Sequence, residues 1–123
     1  MRRVFKTRTF TRWSRKAGLG DAALWAAVDE MSVGLIDADL GGRVYKKRVP
    51  LPGRGKRGGA RTLIGTDLGD RWFFLFGFEK NERENIDALE LVALQSIARA
   101  LLEMKPRRLA LAIEAGELME IEP

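Results

Sequence analysis

The stretch WFFLFGF, residues 72–78, is the strongest signal for a β-strand in the chain. Alternate side chains of a strand point to opposite faces of a sheet. The run therefore gives two apolar sets, Trp72, Phe74, Phe76 and Phe78 on one face and Phe73 and Leu75 on the other. Because both faces are apolar, we expect this strand to lie in the middle of a sheet and to be covered from both sides.

Helical periodicity precedes and follows this strand. A short basic helix is expected from Phe10 to Lys16, and a second helix begins with Asp21 as its N-cap. The second helix has an apolar stripe of Leu24, Val28, Met31 and Leu35. After the strand, Asp87 and Glu90 form a capping pattern that begins the longest helix. The apolar stripe predicted for this helix is Ile86, Leu89, Ala93, Ile97, Leu101 and Met104, and a short helix follows near 107–115.

Extended segments are expected at residues 4–9, 44–49, 61–66 and 72–78, and residues 118–121 are a candidate for a final edge strand. Short links join the three segments between residues 44 and 78. Strands joined by short links pair in antiparallel fashion. We therefore predict an α+β fold, in which an antiparallel sheet of about four strands is packed against two N-terminal helices and C-terminal helices. A chain of 123 residues is enough for one domain, and we expect a single domain spanning 1–123.

Basic residues are concentrated before the central strand. Residues 43–61 contain eight Lys and Arg side chains and no Asp or Glu. Residues 1–61 contain 15 basic and 5 acidic side chains, a balance of +10, whereas residues 62–123 contain 7 and 12, a balance of −5. A folded chain with its charge divided in this way presents a basic face to an anionic partner, and we predict that this partner is RNA.

Strand alternation divides the side chains of residues 44–49 into two sets, Val44, Lys46 and Arg48 on one face and Tyr45, Lys47 and Val49 on the other. The segment GRGKRG, residues 53–58, then matches G-x-G-x-x-G. An extended segment rather than a helix follows it, and Lys56 is followed by Arg57 rather than Ser or Thr, so dinucleotide and Walker-type sites are rejected. We predict a flexible hairpin loop that approaches phosphate, with a solvated hairpin tip as the alternative.

The chain contains no cysteine and no histidine, which excludes disulfides, thiolate and imidazole metal ligands, and histidine-based catalysis. Asp37 and Asp39 lack a third ligand nearby, so we interpret them as solvated acids in a turn and predict no metal and no cofactor. The sequence has neither the apolar core of a signal peptide nor an apolar run long enough to span a membrane. We expect a soluble, cytoplasmic protein without membrane contact.

A second group of polar side chains, Lys80, Asn81 and Arg83, comes directly after the central strand. This position is close to where a neighbouring strand carrying Arg61 would begin. Cations contributed by two or three strands to one place would form a phosphate-binding site. The alternative is surface charge at the end of a strand.

Three runs of this sequence resemble the RelE-type toxins of bacterial toxin–antitoxin pairs, with the closest similarity to a HigB-like subgroup. The runs are GLIDADLGGRVYKKRV at 34–49, GRGKRGGARTLI at 53–64 and FFLFGFEKNERENID at 73–87, and the resemblance extends from Val4 to about Leu118. It implies a compact RelE-like fold with a small curved antiparallel sheet. It also implies cleavage of messenger RNA, often on the ribosome, and inhibition by a cognate antitoxin that is commonly a helix-turn-helix protein.

By position, the resemblance assigns catalytic roles to Lys46, Arg48, Arg61 and Lys80. RNA-binding roles are predicted for the polar side chains around them, Lys47, Arg54, Lys56, Arg57, Asn81 and Arg83. Metal-free cleavage moves a 2′-hydroxyl onto the adjacent phosphate, and this reaction needs a base, a group that holds phosphate charge and a proton donor. Without histidine, Lys46 or Lys80 is the candidate base, and Arg48 and Arg61 would hold phosphate oxygens. Arg61 is ranked first, because a guanidinium can hold two oxygens at once.

The chain departs from the RelE pattern in one respect. Many RelE toxins carry a tyrosine or histidine near the C-terminal end of the site, whereas the one tyrosine here is Tyr45. Alternation places Tyr45 on the face opposite Lys46 and Arg48. Two alternatives to an RNA-cleaving toxin therefore stay open, a ParE-like inhibitor of gyrase and a protein that binds RNA without cleaving it.

Overall fold

The computed structural model describes residues 1–53 and 55–123, and for residues 55–57 it describes the backbone alone. The elements in chain order are β1 (Arg3–Thr7), α1 (Arg8–Ala17), α2 (Asp21–Ser32), β2 (Ala38–Asp39), β3 (Val44–Leu51), β4 (Gly55–Thr66), β5 (Arg71–Glu79), α3 (Ala88–Leu102), α4 (Pro106–Glu114) and β6 (Leu118–Ile121). Within the described residues, no helix combines the length and the apolar character needed to cross a membrane.

The strands form one open, mostly antiparallel sheet in the order β2-β3-β4-β5-β1-β6. The predicted α+β class is confirmed, whereas the predicted number of about four strands is wrong, because the described part of the sheet has six. The two-residue β2 is too short to give a periodic signal, whereas β6 coincides with the final edge strand expected at residues 118–121. In addition, β1 pairs with β5 in parallel, because α1 and α2 separate β1 from the strands that follow it.

Helices cover both faces of the sheet. The first core lies between the sheet and α1 and α2, and includes Phe10, Leu24, Val28, Trp72 and Phe74. The second core lies between the other face and α3 and α4, and includes Phe5, Phe73, Leu94, Ala98 and Leu109. The prediction that residues 72–78 form a strand covered from both sides is therefore confirmed.

A β-bulge at Leu75 changes the predicted alternation along β5. Leu63 of β4 pairs with Phe76 and the next residue, Ile64, pairs with Phe74, so Leu75 has no partner in β4. The extra residue reverses the facing of all residues after it. Phe76 and Phe78 therefore pack on the α3 side with Phe73, and their predicted place beside Trp72 is wrong.

The helical stripes also differ from prediction. Helix α2 begins after Gly20 as its N-cap and ends at Ser32, so Asp21 lies inside the helix and Leu35 outside it. In α3 the predicted Leu89 and Ile97 are exposed, whereas Leu94 and Ala98 are buried. Gly65 of β4 explains why Ala98 is buried. It has no side chain, so α3 can approach the sheet there, whereas a Cβ at this position would come within 2.9 Å of Cβ of Ala98. The predicted capping arrangement of Asp87 and Glu90 is confirmed.

The hairpin formed by β3 and β4 is longer than predicted. β3 continues through Pro50 to Leu51, with a register irregularity between Val49 and Leu51, and β4 already begins at Gly55. Proline is tolerated at such irregularities because it need not donate a hydrogen bond there. Residues 55–58 of the glycine-rich segment therefore belong to a strand rather than to a loop.

The reversal at Leu75 predicts that Gly77 cannot be enlarged. A Cβ at Gly77 would lie 2.3 Å from the ring of Trp13 in α1. We expect Gly77→Ala to lower the free energy of unfolding by about 1–3 kcal/mol, because the ring and the strand must move apart. Urea unfolding monitored by circular dichroism measures this loss.

Gly69→Ala is the matched control, since a Cβ at Gly69 meets no atom within 4 Å. Equal unfolding midpoints for the two variants would contradict the described packing of Trp13 on β5.

Candidate nucleic-acid interface

Two cations face each other across the hairpin. Arg48 of β3 lies directly opposite Arg61 of β4, and Arg61 lies directly opposite Phe78 of β5. In the next row, Lys46 pairs with Leu63, and Leu63 pairs with Phe76. Directly opposite residues share one face of a sheet, and Leu63 belongs to the core under α3 and α4. The structure therefore places Lys46, Arg48 and Arg61 together on this face, and we call these three residues the cation row.

The cation row places like charges directly opposite each other. Directly opposite side chains have Cβ atoms about 4.5–5.5 Å apart, and a pair of like charges at such positions repels. Arg61 is 9% exposed, and its Nη1 donates to the carbonyl of Gly59 at 3.2 Å. The Arg48 side chain is 48% exposed, and its Nε lies 4.0 Å from Oδ1 of Asp37. An anion bound between the two guanidinium groups would relieve their repulsion.

Asp37 holds the backbone of β3 beside the cation row. Its Oδ2 accepts a hydrogen bond from the N–H of Arg48 at 2.7 Å, and its own N–H donates to the carbonyl of Lys46 at 3.1 Å. The sequence pattern predicts a solvated acid in a turn at Asp37, and it does not by itself indicate this role. The one feature of the sequence that points to this role is the position of an acid before a basic strand. It is not sufficient, because the contact depends on the pairing between β2 and β3.

Lys80 and Asn81 lie at the end of β5. The register pairs Ala60 with Glu79, so Lys80 follows two residues after the partner of Arg61. Both side chains are exposed and line an open groove together with Gly58 and Glu79. Neither Lys46 nor Lys80 forms an ion pair within the part of the chain that the structure describes. The ammonium groups of Lys46, in the row, and of Lys80, beside it, are therefore candidates for contact with an anion.

Arg83 lies on the same face but is already engaged. Its guanidinium lies 6.0 Å from the ring centre of Phe76 and 5.8 Å from that of Phe78. It donates to both carboxylate oxygens of Glu90, and its Nε donates to the carbonyl of Asn85 at 3.0 Å. The hydrogen bond to Glu90 raises the pKa of Arg83. Arg83 therefore joins the end of β5 to the start of α3, and this use limits the RNA contact predicted for it.

Two residues of β3 lie on the opposite face. The Lys47 side chain is 4% exposed, and its Nζ contacts Oε1 of Glu30 at 2.7 Å and the carbonyl of Leu35 at 2.8 Å. Tyr45 packs against the first core, and burial, then Asp39 and Asp67, raise its pKa. The predicted separation of Tyr45 from the cation row is confirmed. The structure does not bring Lys47 to the row, and its ammonium holds α2 on the sheet.

The remaining predicted RNA contacts cannot be placed, because Arg54 and the side chains of Lys56 and Arg57 lie outside the described residues. Elsewhere in the described part of the chain, no three acidic side chains come close enough together to hold a metal ion.

The contact between Arg83 and Glu90 predicts a pH dependence. Hydrogen bonds from Arg83 and then from the N–H of Asp87 lower the pKa of Glu90 below its ordinary 4.5. Its contribution to the free energy of unfolding is therefore complete above its ordinary pKa and is lost as the pH falls through the lower folded value. We expect Glu90→Gln, which does not titrate, to flatten the fall in stability between about pH 5 and about pH 3.

Urea unfolding at several pH values tests this expectation. The matched control is Glu84→Gln, which removes the same charge from an exposed position in the same segment. If the Glu90 and Glu84 variants lose stability in parallel with the unsubstituted protein, the described contact does not stabilise the folded state.

Comparison with known proteins identifies the family of this chain. Residues 2–121 match the family model described as the RelE toxin of the RelE/RelB toxin–antitoxin system. No curated protein gives a significant match. The matched range includes the cation row, the end of β5 and the helices on both faces of the sheet. The chain therefore belongs to the RelE family of toxins of toxin–antitoxin systems.

Proposed function

We propose that this RelE-family toxin is an endoribonuclease that cleaves messenger RNA on the ribosome and thereby inhibits translation. The observation that carries the proposal is the cation row, in which Arg48 and Arg61 lie directly opposite each other and Lys46 follows on the same face. Like charges in this arrangement favour a bound anion. A phosphodiester suits this position, because the paired N–H donors of a guanidinium match two phosphate oxygens.

The proposed reaction requires no group beyond the side chains of this chain. The 2′-oxygen loses its proton to a base and forms a bond to the adjacent phosphorus, while the bond from phosphorus to the 5′-oxygen breaks. The departing 5′-oxygen receives a proton, so the products are a 2′,3′-cyclic phosphate and a free 5′-hydroxyl. In-line attack needs both oxygens to be held about the same phosphorus, and bidentate arginine contacts provide that positioning.

Each candidate residue has a proposed role. Arg48 and Arg61 hold the non-bridging phosphate oxygens, whose negative charge grows in the transition state. Lys46 or Lys80 takes the proton from the 2′-hydroxyl, and a protonated lysine supplies the proton to the leaving oxygen. Tyr45 has no part in this scheme, because it lies on the opposite face of β3. Asn81 lies beside Lys80 and contacts the flanking nucleotide.

The proposal includes the partners of the toxin. Membership of the RelE family implies an antitoxin that inhibits it. We propose that this antitoxin is a helix-turn-helix protein, that the toxin resembles the HigB-like subgroup, and that it acts in the cytoplasm, where translating ribosomes are found.

A second function is favoured by one observation, the position of Tyr45. Proton transfer then rests on lysine alone, and a row that binds phosphate without a working base would give an RNA-binding protein that does not cut. Tight, salt-dependent RNA binding without products would identify this case. Intact RNA together with DNA damage during expression would instead identify a ParE-like action on gyrase.

Substitution of the cation row tests the proposal. We expect Arg61→Ala and Arg48→Ala each to lower the rate of messenger RNA cleavage at least about tenfold, because each removes a contact that strengthens in the transition state. Cleavage is measured with and without ribosomes, and the ends of the products are analysed for the 2′,3′-cyclic phosphate.

Arg107→Ala is the matched control, since Arg107 is an exposed arginine at the start of α4. Circular dichroism establishes that each variant is folded. If loss of the buried Arg61 alters folding, the variant of the exposed Arg48 still tests the proposal. Unchanged cleavage by both folded variants would remove the cation row from the mechanism.

A further inference from the structure

A second cationic surface lies on the opposite side of the sheet, along α1. Its exposed side chains Arg8, Arg12, Arg15 and Lys16 are spaced so that they fall within an arc of about 100° on the helix. They extend about 12 Å along the helix axis. Phe10 and Ser14 on the other side of α1 are buried against the sheet. We call the four cations the α1 stripe.

Acidic side chains are lacking in helix α1, which contains no Asp or Glu. Within the described residues none of the four cations of the stripe forms an ion pair. Nε of Arg8 donates to the carbonyl of Gly116 at 3.3 Å. Two nearby acids are engaged elsewhere, since Asp21 pairs with Lys6 and Glu120 with Arg3.

Stability of the helix does not account for the stripe. Cations in the last turn interact favourably with the helix dipole, which suits Arg15 and Lys16. Arg8 is the first residue of α1, where the dipole disfavours a positive charge, and no acid in the first turn offsets it. The arrangement of all four cations is therefore better explained by an external anion.

We propose that the α1 stripe binds the phosphate backbone of a structured RNA at a site separate from the cation row. This inference rests on the proposed function, because it concerns how the same toxin holds its RNA target. The two surfaces lie on opposite faces of the sheet, since Phe10 of α1 belongs to the first core and Leu63 beside the row belongs to the second. An RNA that reaches both must pass around an edge of the sheet, and a folded RNA can present phosphates to both faces at once.

RNA fits the stripe better than an acidic protein does. The centre of a protein–protein interface is depleted of charge and enriched in aromatic residues, whereas interfaces with nucleic acid are strongly positive. The stripe is charged at its centre, and the exposed large apolar residue beside it, Met119, is not aromatic. Arginine is also the residue that matches phosphate with paired donors.

The test compares two triple variants that remove the same charge from different places. Arg12→Gln/Arg15→Gln/Lys16→Gln removes most of the α1 stripe. Arg99→Gln/Lys105→Gln/Arg107→Gln removes three exposed cations at the junction of α3 and α4, which form no ion pair within the described residues. The probe is a labelled RNA hairpin with a single-stranded tail, titrated at several salt concentrations from about 50 to about 200 mM.

We expect the α1 variant to bind the hairpin RNA at least about tenfold more weakly than the unsubstituted protein. We also expect its slope of log affinity against log salt to be smaller by about two to three. The junction variant keeps the affinity and the slope of the unsubstituted protein. In cleavage assays we expect the α1 variant to have a higher KM and an unchanged kcat. Equal losses in both variants would show an effect of net charge alone and overturn the inference. An unchanged slope in the α1 variant would overturn the inference as well. If the α1 variant keeps its binding to RNA but loses its binding to an acidic protein partner, the stripe belongs to that partner.

Failure of the inference and failure of the proposed function have different signatures. If the protein binds the hairpin through α1 but makes no product, the inference stands and the proposed cleavage fails. If product forms and the salt slope is the same for all three proteins, cleavage stands and the α1 site fails.

Discussion

The one-residue bulge at Leu75 in β5 is the feature on which the rest of the structure depends. With regular alternation, Arg61 would lie opposite Gly77, and Phe76 and Phe78 would face α1. With the bulge, Arg61 pairs with Phe78, and the aromatic pair lies on the side of α3. Gly77 is turned towards α1 and allows Trp13 to pack on bare backbone. One extra residue thus gives the cation row an aromatic neighbour and fixes the position of α1.

The charges of the chain are used in two ways. Many of the cations are structural, since Lys47 holds α2 on the sheet through Glu30 and Arg83 holds the start of α3 through Glu90. Others form the cation row, in which Arg48 and Arg61 lie directly opposite each other, and the α1 stripe, whose cations form no ion pair within the described residues. Such groups raise the energy of the free protein through repulsion and lower it when an anion binds. These two concentrations of positive charge are therefore the physical basis for proposing RNA as the target.

The sequence predicts those features that depend on local patterns. Period-two alternation separates Tyr45 from Lys46 and Arg48 as observed, and the pairing of Asp87 with Glu90 locates the start of α3. The features that it misses depend on contacts between distant segments. No local pattern in the sequence marks Leu75 as a bulge. The burial of Ala98 rather than Ile97 in α3 depends on Gly65, which lies in β4. The same limit applies to Lys47, whose charge suggests RNA contact until its pairing with Glu30 is known.

We infer that a phosphate binds between Arg48 and Arg61. A crystal structure of the protein with an RNA whose 2′-hydroxyl groups are methylated tests it most directly, because methylation prevents cleavage while keeping the phosphates. We expect a phosphate held by both guanidinium groups, with the adjacent 2′-oxygen near Lys46 or Lys80. An RNA bound elsewhere on the protein, with no phosphate at Arg48 and Arg61, would contradict it.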